Sequence, residues 1–155
     1  MALPYTPVGI ATLFTRLNAE ATKKGFTALT RLTLAVEKQA KANVSYAPHK
    51  LGTPTPATPG RGPGLISGTL RRAITHTSPT PMGIGSWQSK VGMAKGPTAP
   101  YSKTSAAVVA RILEKDGTKA GNKFPFLEPA VKFGRDIAGP VIYRDVFGRW
   151  PRMDL

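Results

Sequence analysis

Between Ser45 and Gly64 the chain reads Ser-Tyr-Ala-Pro-His-Lys-Leu-Gly-Thr-Pro-Thr-Pro-Ala-Thr-Pro-Gly-Arg-Gly-Pro-Gly, a stretch through which no regular ladder can run. Pro48, Pro54, Pro56, Pro59 and Pro63 each lack the amide donor, and the interspersed glycines lose the most backbone entropy on ordering. An irregular connection of this length is uncommon inside a compact domain unless it serves a purpose. With ordered-looking sequence on both sides, residues 45–64 are expected to form an extended arm that a neighbouring subunit orders. Pro54, Pro56 and Pro59 are its interface candidates.

The 155 residues suit one domain, expected over 1–138, followed by a tail over 139–155. Gly and Pro (16 and 15) make up a fifth of the chain, which predicts a modest core with long irregular segments. With Cys 0, disulfides, thiolate zinc sites and cysteine nucleophiles are excluded, so the core or neighbouring subunits must hold the domain together. No apolar run approaches the roughly 20 residues that span a bilayer, and the first residues have neither a basic nor an apolar leader region. A soluble, unexported oligomer is the expectation, with no membrane contact.

Apolar residues at helical spacing predict α-structure from about Val8 to Val44. Ile10, Leu13, Phe14, Leu17 and Ala21 form one stripe, and Leu29, Leu32, Val36 and Ala40 another. Thr22-Lys-Lys-Gly25 interrupts the stripe, so a kink or change of facing is expected near Gly25, with one long helix or two in series both open. Ser67-Gly-Thr-Leu-Arg-Arg-Ala-Ile74 predicts a short helix with Ser67 as N-cap and Arg71 and Arg72 outward. Strands are expected near 73–78 and 84–93. Residues 106–114 fit either a strand or a short helix, since a continuous apolar run carries no period. A last helix starts near Phe124-Pro-Phe-Leu-Glu-Pro-Ala130, with Pro129 in its first turn. The predicted class is α+β, a long N-terminal helix and a C-terminal helix packed on a small, mostly antiparallel sheet.

Two apolar groups call for a seat. Phe124, Phe126 and Leu127 lie in a proline-stiffened segment and are expected to latch the last helix into the groove between the long helix and the sheet, with a seat on the next subunit as the alternative. The tail has no helical stripe, yet Val141, Tyr143, Phe147 and Trp150 are too apolar to stay in water, so they are candidates for a subunit interface.

The net charge is +14, from 22 Lys and Arg against 8 Asp and Glu, and no acidic residue occurs between Glu37 and Glu114. Such a field attracts polyanions or acidic protein surfaces. Arg71, Arg72, Lys90 and Lys95 are the candidates to face DNA, although the basic residues are spread singly rather than interleaved with aromatics. Catalytic material is sparse. His49 and His76 have no partner at metal-ligand spacing, and Glu114 with Asp116 beside Gly117 suggests turn chemistry. Ser67 lacks the flanking pattern of a nucleophile elbow, and neither Met82-Gly-Ile-Gly-Ser nor Pro59-Gly-Arg-Gly-Pro-Gly follows a strand and opens a helix as a phosphate cradle does. No enzyme, cofactor or metal is expected.

Four motifs in order carry a resemblance: Ala40-Lys-Ala-Asn-Val-Ser-Tyr-Ala-Pro48, Ser67-Gly-Thr-Leu-Arg-Arg-Ala-Ile74, Ile112-Leu-Glu-Lys-Asp-Gly-Thr118 and Phe124-Pro-Phe-Leu-Glu-Pro-Ala130. Over about residues 30–134 the chain resembles neck and tail-completion proteins, the head-tail joining family of long-tailed, non-contractile bacteriophages. Glu114-Lys-Asp-Gly-Thr118 carries one residue more than that family's strand-ending Glu-x-Gly-Thr, and the tail after residue 139 has no counterpart. The resemblance implies a structural virion protein of the neck or tail, assembled in the host bacterial cytoplasm as a homo-oligomeric ring. A hexamer is the leading expectation, joined to other phage neck and tail proteins, with non-specific contact to DNA in the axial channel. The alternatives are a sequence-independent DNA-binding protein of the nucleoid type, and another virion subunit such as a tail-tube or minor capsid protein.

Overall fold

A computed structural model of the chain describes residues 7–46, 48–50, 53, 57–64, 68–83, 86–94, 104–118 and 121–148, with side chains from Thr15 onward. The architecture is α+β: a long N-terminal helix, a C-terminal helical run packed along it, and two small antiparallel sheets of two strands each. Helix α1 (Pro7–Asn43) is continuous through 37 residues. Gly25 does not kink it. A Cβ there would lie 3.6 Å from Trp87 Cδ1, so the glycine marks where a β-ribbon lies against the helix. The threonine hydroxyls of α1 are satisfied within the helix, for those of Thr27, Thr30 and Thr33 donate to the carbonyls of Lys23, Phe26 and Leu29 at 3.0, 2.8 and 2.7 Å.

Helix α2 (Thr69–Ala73) leads directly into strand β1 (Ile74–His76). Its N-cap is Gly68 in the left-handed region (φ 70°) with no side-chain cap; the expected cap, Ser67, lies outside the described residues. Strands β2 (Thr80–Gly83) and β3 (Ser86–Gln88) pair with each other, and β4 (Val91–Met93) returns to pair with β1. The two sheets are thus successive parts of one hairpin. Ser78-Pro79 interrupts the ladder, because Pro79 has no amide to give, and Thr77 bridges the gap to Ser89 and Lys90. The expected strand over 84–93 is therefore divided between two sheets. Pro81 sits opposite Trp87 in a two-stranded ribbon, where every strand is an edge and Pro is tolerated.

Helix α3 (Ala106–Arg111) settles the ambiguous run as helix, started by Ser105, whose hydroxyl accepts from Val108 N at 3.4 Å. It ends in a π-helical turn, Ile112–Asp116, closed by Gly117 N donating to Ile112 O at 2.7 Å. The strand implied for this stretch by the phage-family resemblance is not present: residues 106–116 are helical. A π turn closes its hydrogen bond over one more residue than an α turn.

Helix α4 (Leu127–Phe133), a second π turn (Gly134–Ala138) and helix α5 (Gly139–Phe147) follow without a break. This corrects the reading of the tail, since nine residues past 138 are helical. Pro140 cannot donate to the carbonyl four residues back and its ring would press on it, and the preceding π turn opens the spiral where that bond is missing. At Gly134 the helical run passes close to α1, for a Cβ there would lie 2.4 Å from Val36 Cγ2.

The core joins these pieces. Val36 and Ala40 of α1 and Val44 just past its end recur every four residues and meet Ile74 of β1, Ala110 of α3, Phe126 and Ala130. Phe126 is 0% exposed and is among the largest fully buried side chains, which places it in the seat expected between the long helix and the sheet. Burying such a ring contributes roughly 1.5–3 kcal/mol relative to leaving it in water. Phe124 is buried beside it and Leu127 packs half-buried against the same cluster.

The distal arm, residues 57–64, lies on its own chain. Gly60 N donates to Lys123 O at 2.9 Å, Arg61 donates to the Tyr46 hydroxyl at 2.7 Å with its guanidinium over the Tyr46 ring, and Pro63 is buried. Gly62 passes so close to the end of α1 that a Cβ would fall 1.8 Å from Asn43 O. This part of the arm is held against the chain's own α1, Tyr46 and the loop before Phe124. Pro59 is exposed; Pro54 and Pro56 lie outside the described residues.

Candidate functional site

Two surfaces stand out, one basic and one apolar. The basic one forms because α2 is too short to bury more than one face: Thr69 and Ala73, four apart, turn inward, so Arg71 and Arg72 turn outward. They face Lys38 and Lys41, three apart on α1. Two adjoining depressions result, one of about 310 Å³ lined by Lys41, Gly68, Arg71 and Arg72, the other of about 470 Å³ lined by Leu34, Glu37, Lys38, Lys41, Ala42 and Arg71. Lys41 and Arg71 belong to both, so the two form one shallow groove between α1 and α2.

Glu37 supplies the groove's carboxylate and is already occupied, by hydrogen-bonded ion pairs with Lys41 on its own helix and with His76 Nδ1 on β1. Burial pushes its carboxyl up, but the hydrogen bonds from Lys41 and His76 and their charges outweigh that and hold it below the ordinary 4.5. The carboxylate is therefore ionised at neutral pH and pins β1 to α1. Among the described residues, neither Lys38 nor Arg71 has an ion pair. Of the other residues expected to face DNA, Arg72 lines the groove and reaches Thr69 Oγ1 at 3.4 Å, Lys90 is exposed on the β-ribbon away from the groove, and Lys95 lies outside the described residues.

The apolar surface belongs to the two helical runs. Every side chain of α1 from Thr15 to Lys24 is exposed, including Leu17 (52%), and burial begins only at Gly25. Phe26 touches Trp87 edge-on at 5.5 Å and is still 40% exposed, and Leu34 is 47% exposed. On the C-terminal run Val131, Ile137, Val141 and Tyr143 are exposed, while Phe147 is half-buried and stacks on Tyr143 with ring centroids 4.8 Å apart. The structure thus brings Val141, Tyr143 and Phe147 onto one helix; Trp150 lies outside the described residues.

Sequence reasoning missed the Glu114 carboxylate. It does not form a turn with Gly117 but reaches across to α4, whose N-cap Phe126 has no capping side chain of its own. Its Oε2 accepts from the amides of Phe126 and Leu127 at 2.8 and 3.1 Å, and its Oε1 from that of Glu128 at 2.6 Å. The signal for it was the lack of a Ser, Thr, Asn or Asp before α4, which left first-turn amides in search of an acceptor. His76 pairing with Glu37 had no sequence signal, since the two are 39 residues apart. Among the described residues no group of three or more His, Asp or Glu is placed to hold a metal ion, and no helix is long and apolar enough to cross a membrane. Compared with known protein families, curated proteins and solved structures, the chain matches none.

Proposed function

We propose that this chain is a structural subunit of a tailed-phage virion that forms a ring at the neck or upper tail, as a non-catalytic head-tail joining or tail-completion component. The observation that carries the reading is the uncovered apolar surface on α1 and the C-terminal helical run. Leu17, Phe26, Ile137, Val141 and Tyr143 are each at least two-fifths exposed, on helices that stand at the molecule's surface. Large apolar side chains left uncovered along two helices mark surfaces for interaction, and homo-oligomers with closed symmetry are the commonest way of covering them. The ordered motifs between residues 30 and 134 supply the particular assembly: a ring, hexameric in the first instance, joined to other neck and tail proteins in the virion. The helical 106–116 stretch departs from what that family implies.

The test is electron microscopy of the purified full chain by negative stain. Closed rings of uniform subunit number with a central opening support the reading, and isolated monomers at every concentration refute it. The basic groove favours a second reading, a sequence-independent DNA-binding protein, which predicts a monomer or dimer with tight, salt-sensitive binding to duplex DNA.

A further inference from the structure

We infer that the groove between α1 and α2 is a binding site for the phosphate backbone of duplex DNA, independent of base sequence, with Lys38, Lys41, Arg71 and Arg72 as its contacts. It deepens the second reading by naming the residues that take the phosphates, and it does not depend on the assembly reading. Four basic side chains from two elements line one depression against a single carboxylate, Glu37, which is hydrogen-bonded to Lys41 and His76. The charge has no counterweight in the sequence, which lacks acidic residues from Lys38 to Leu113. Guanidinium groups take phosphate oxygens in pairs, and lysine ammoniums add point charges beside them.

Three features select duplex backbone over other anions. An acidic peptide would need an apolar anchor pocket to hold its register, but among the described residues Leu34, half-exposed at the rim, is the one large apolar side chain in the lining. Single strands are held by bases stacked on aromatic rings, and no aromatic side chain among the described residues lines the groove. Base reading calls for Asn, Gln or Arg inserted in a major groove by a long element, whereas Arg71 and Arg72 sit on a five-residue helix over a shallow surface, suited to phosphates alone.

The experiment measures binding of the full chain to random-sequence duplex by fluorescence anisotropy across a salt series. It compares wild type with Lys38→Ala/Arg71→Ala and with a control pair at exposed positions off the groove, Lys23→Ala/Lys132→Ala, each checked for an unchanged melting temperature. The groove pair should bind more weakly and lower the slope of log K against log salt by about 2, one for each phosphate that the variant no longer neutralises, while the control pair keeps the wild-type slope. Equal losses for both pairs would reduce the site to diffuse charge. No duplex binding, tighter binding of single strands, or poly-glutamate binding that rivals the duplex and falls in the same groove variant would each overturn the proposal. Ring formation is read separately by microscopy, so either claim can fail alone.

Discussion

Replacing Glu114 with alanine removes the side-chain cap of α4. In the folded protein one carboxylate takes three amides, those of Phe126, Leu127 and Glu128. Phe126 is fully buried, so its amide has no route to water, whereas Glu128 is exposed and its amide can be hydrated after the change. A buried donor left unpaired costs about 1–3 kcal/mol and the remaining cap roughly another 1 kcal/mol, so Glu114→Ala should destabilise the domain by about 2–4 kcal/mol. For a chain of this size that lowers the melting temperature by on the order of 10 °C. Glu114→Gln keeps the length and one acceptor and should recover about half of the loss. The assay is thermal and urea unfolding of the three proteins under identical conditions. If Glu114→Ala melts within a degree or two of wild type, the carboxylate is not what starts α4, and the link from α3 to the latch is incidental.

Three further outcomes follow from the same geometry. Phe126→Ala should cost about 3–5 kcal/mol, read by chemical unfolding, because the ring is the centre of the core that joins α1, β1 and α4. Gly62→Ala should push the arm off the end of α1, since the new Cβ would meet a backbone oxygen, and amide exchange at Gly60, bonded to Lys123 O, should speed up in step. The Glu37 carboxyl titrates below its ordinary 4.5 when folded, so the unfolded chain binds the proton first as pH falls. The stability it contributes is therefore present above about pH 4.5 and is lost as pH drops through the lower folded value. A pH series of melting temperatures should show wild type and Glu37→Gln converging at the acid end.

The sequence disclosed those features that rest on local chemistry. The four-residue spacing of Val36 and Ala40 read as a buried helical face, and Phe124-Pro-Phe-Leu read as a latch because two prolines leave an apolar pair with few conformations to lose. Gly25 was misjudged because a glycine facing a tryptophan looks, in one dimension, like a glycine that weakens a helix. Gly139-Pro140 looked like a terminus for the same reason: nothing local shows that a π turn will absorb the missing amide. The groove was half legible. Arg71 and Arg72 could be placed outward, but their meeting with Lys38 and Lys41 depends on how α2 docks against α1. Glu114 and His76 were hidden because their partners are distant in the chain.

The central claim is that exposed faces of α1 and α5 are covered by other copies of the chain. Sedimentation velocity across a wide concentration range tests it most directly, comparing wild type with a Val141→Asp/Tyr143→Asp variant. The account predicts one closed species several times the 16.5 kDa subunit mass, whose size stops growing with concentration and which the double variant dissolves without unfolding. A wild-type chain that sediments as a monomer throughout, or an oligomer untouched by the two aspartates, would contradict it.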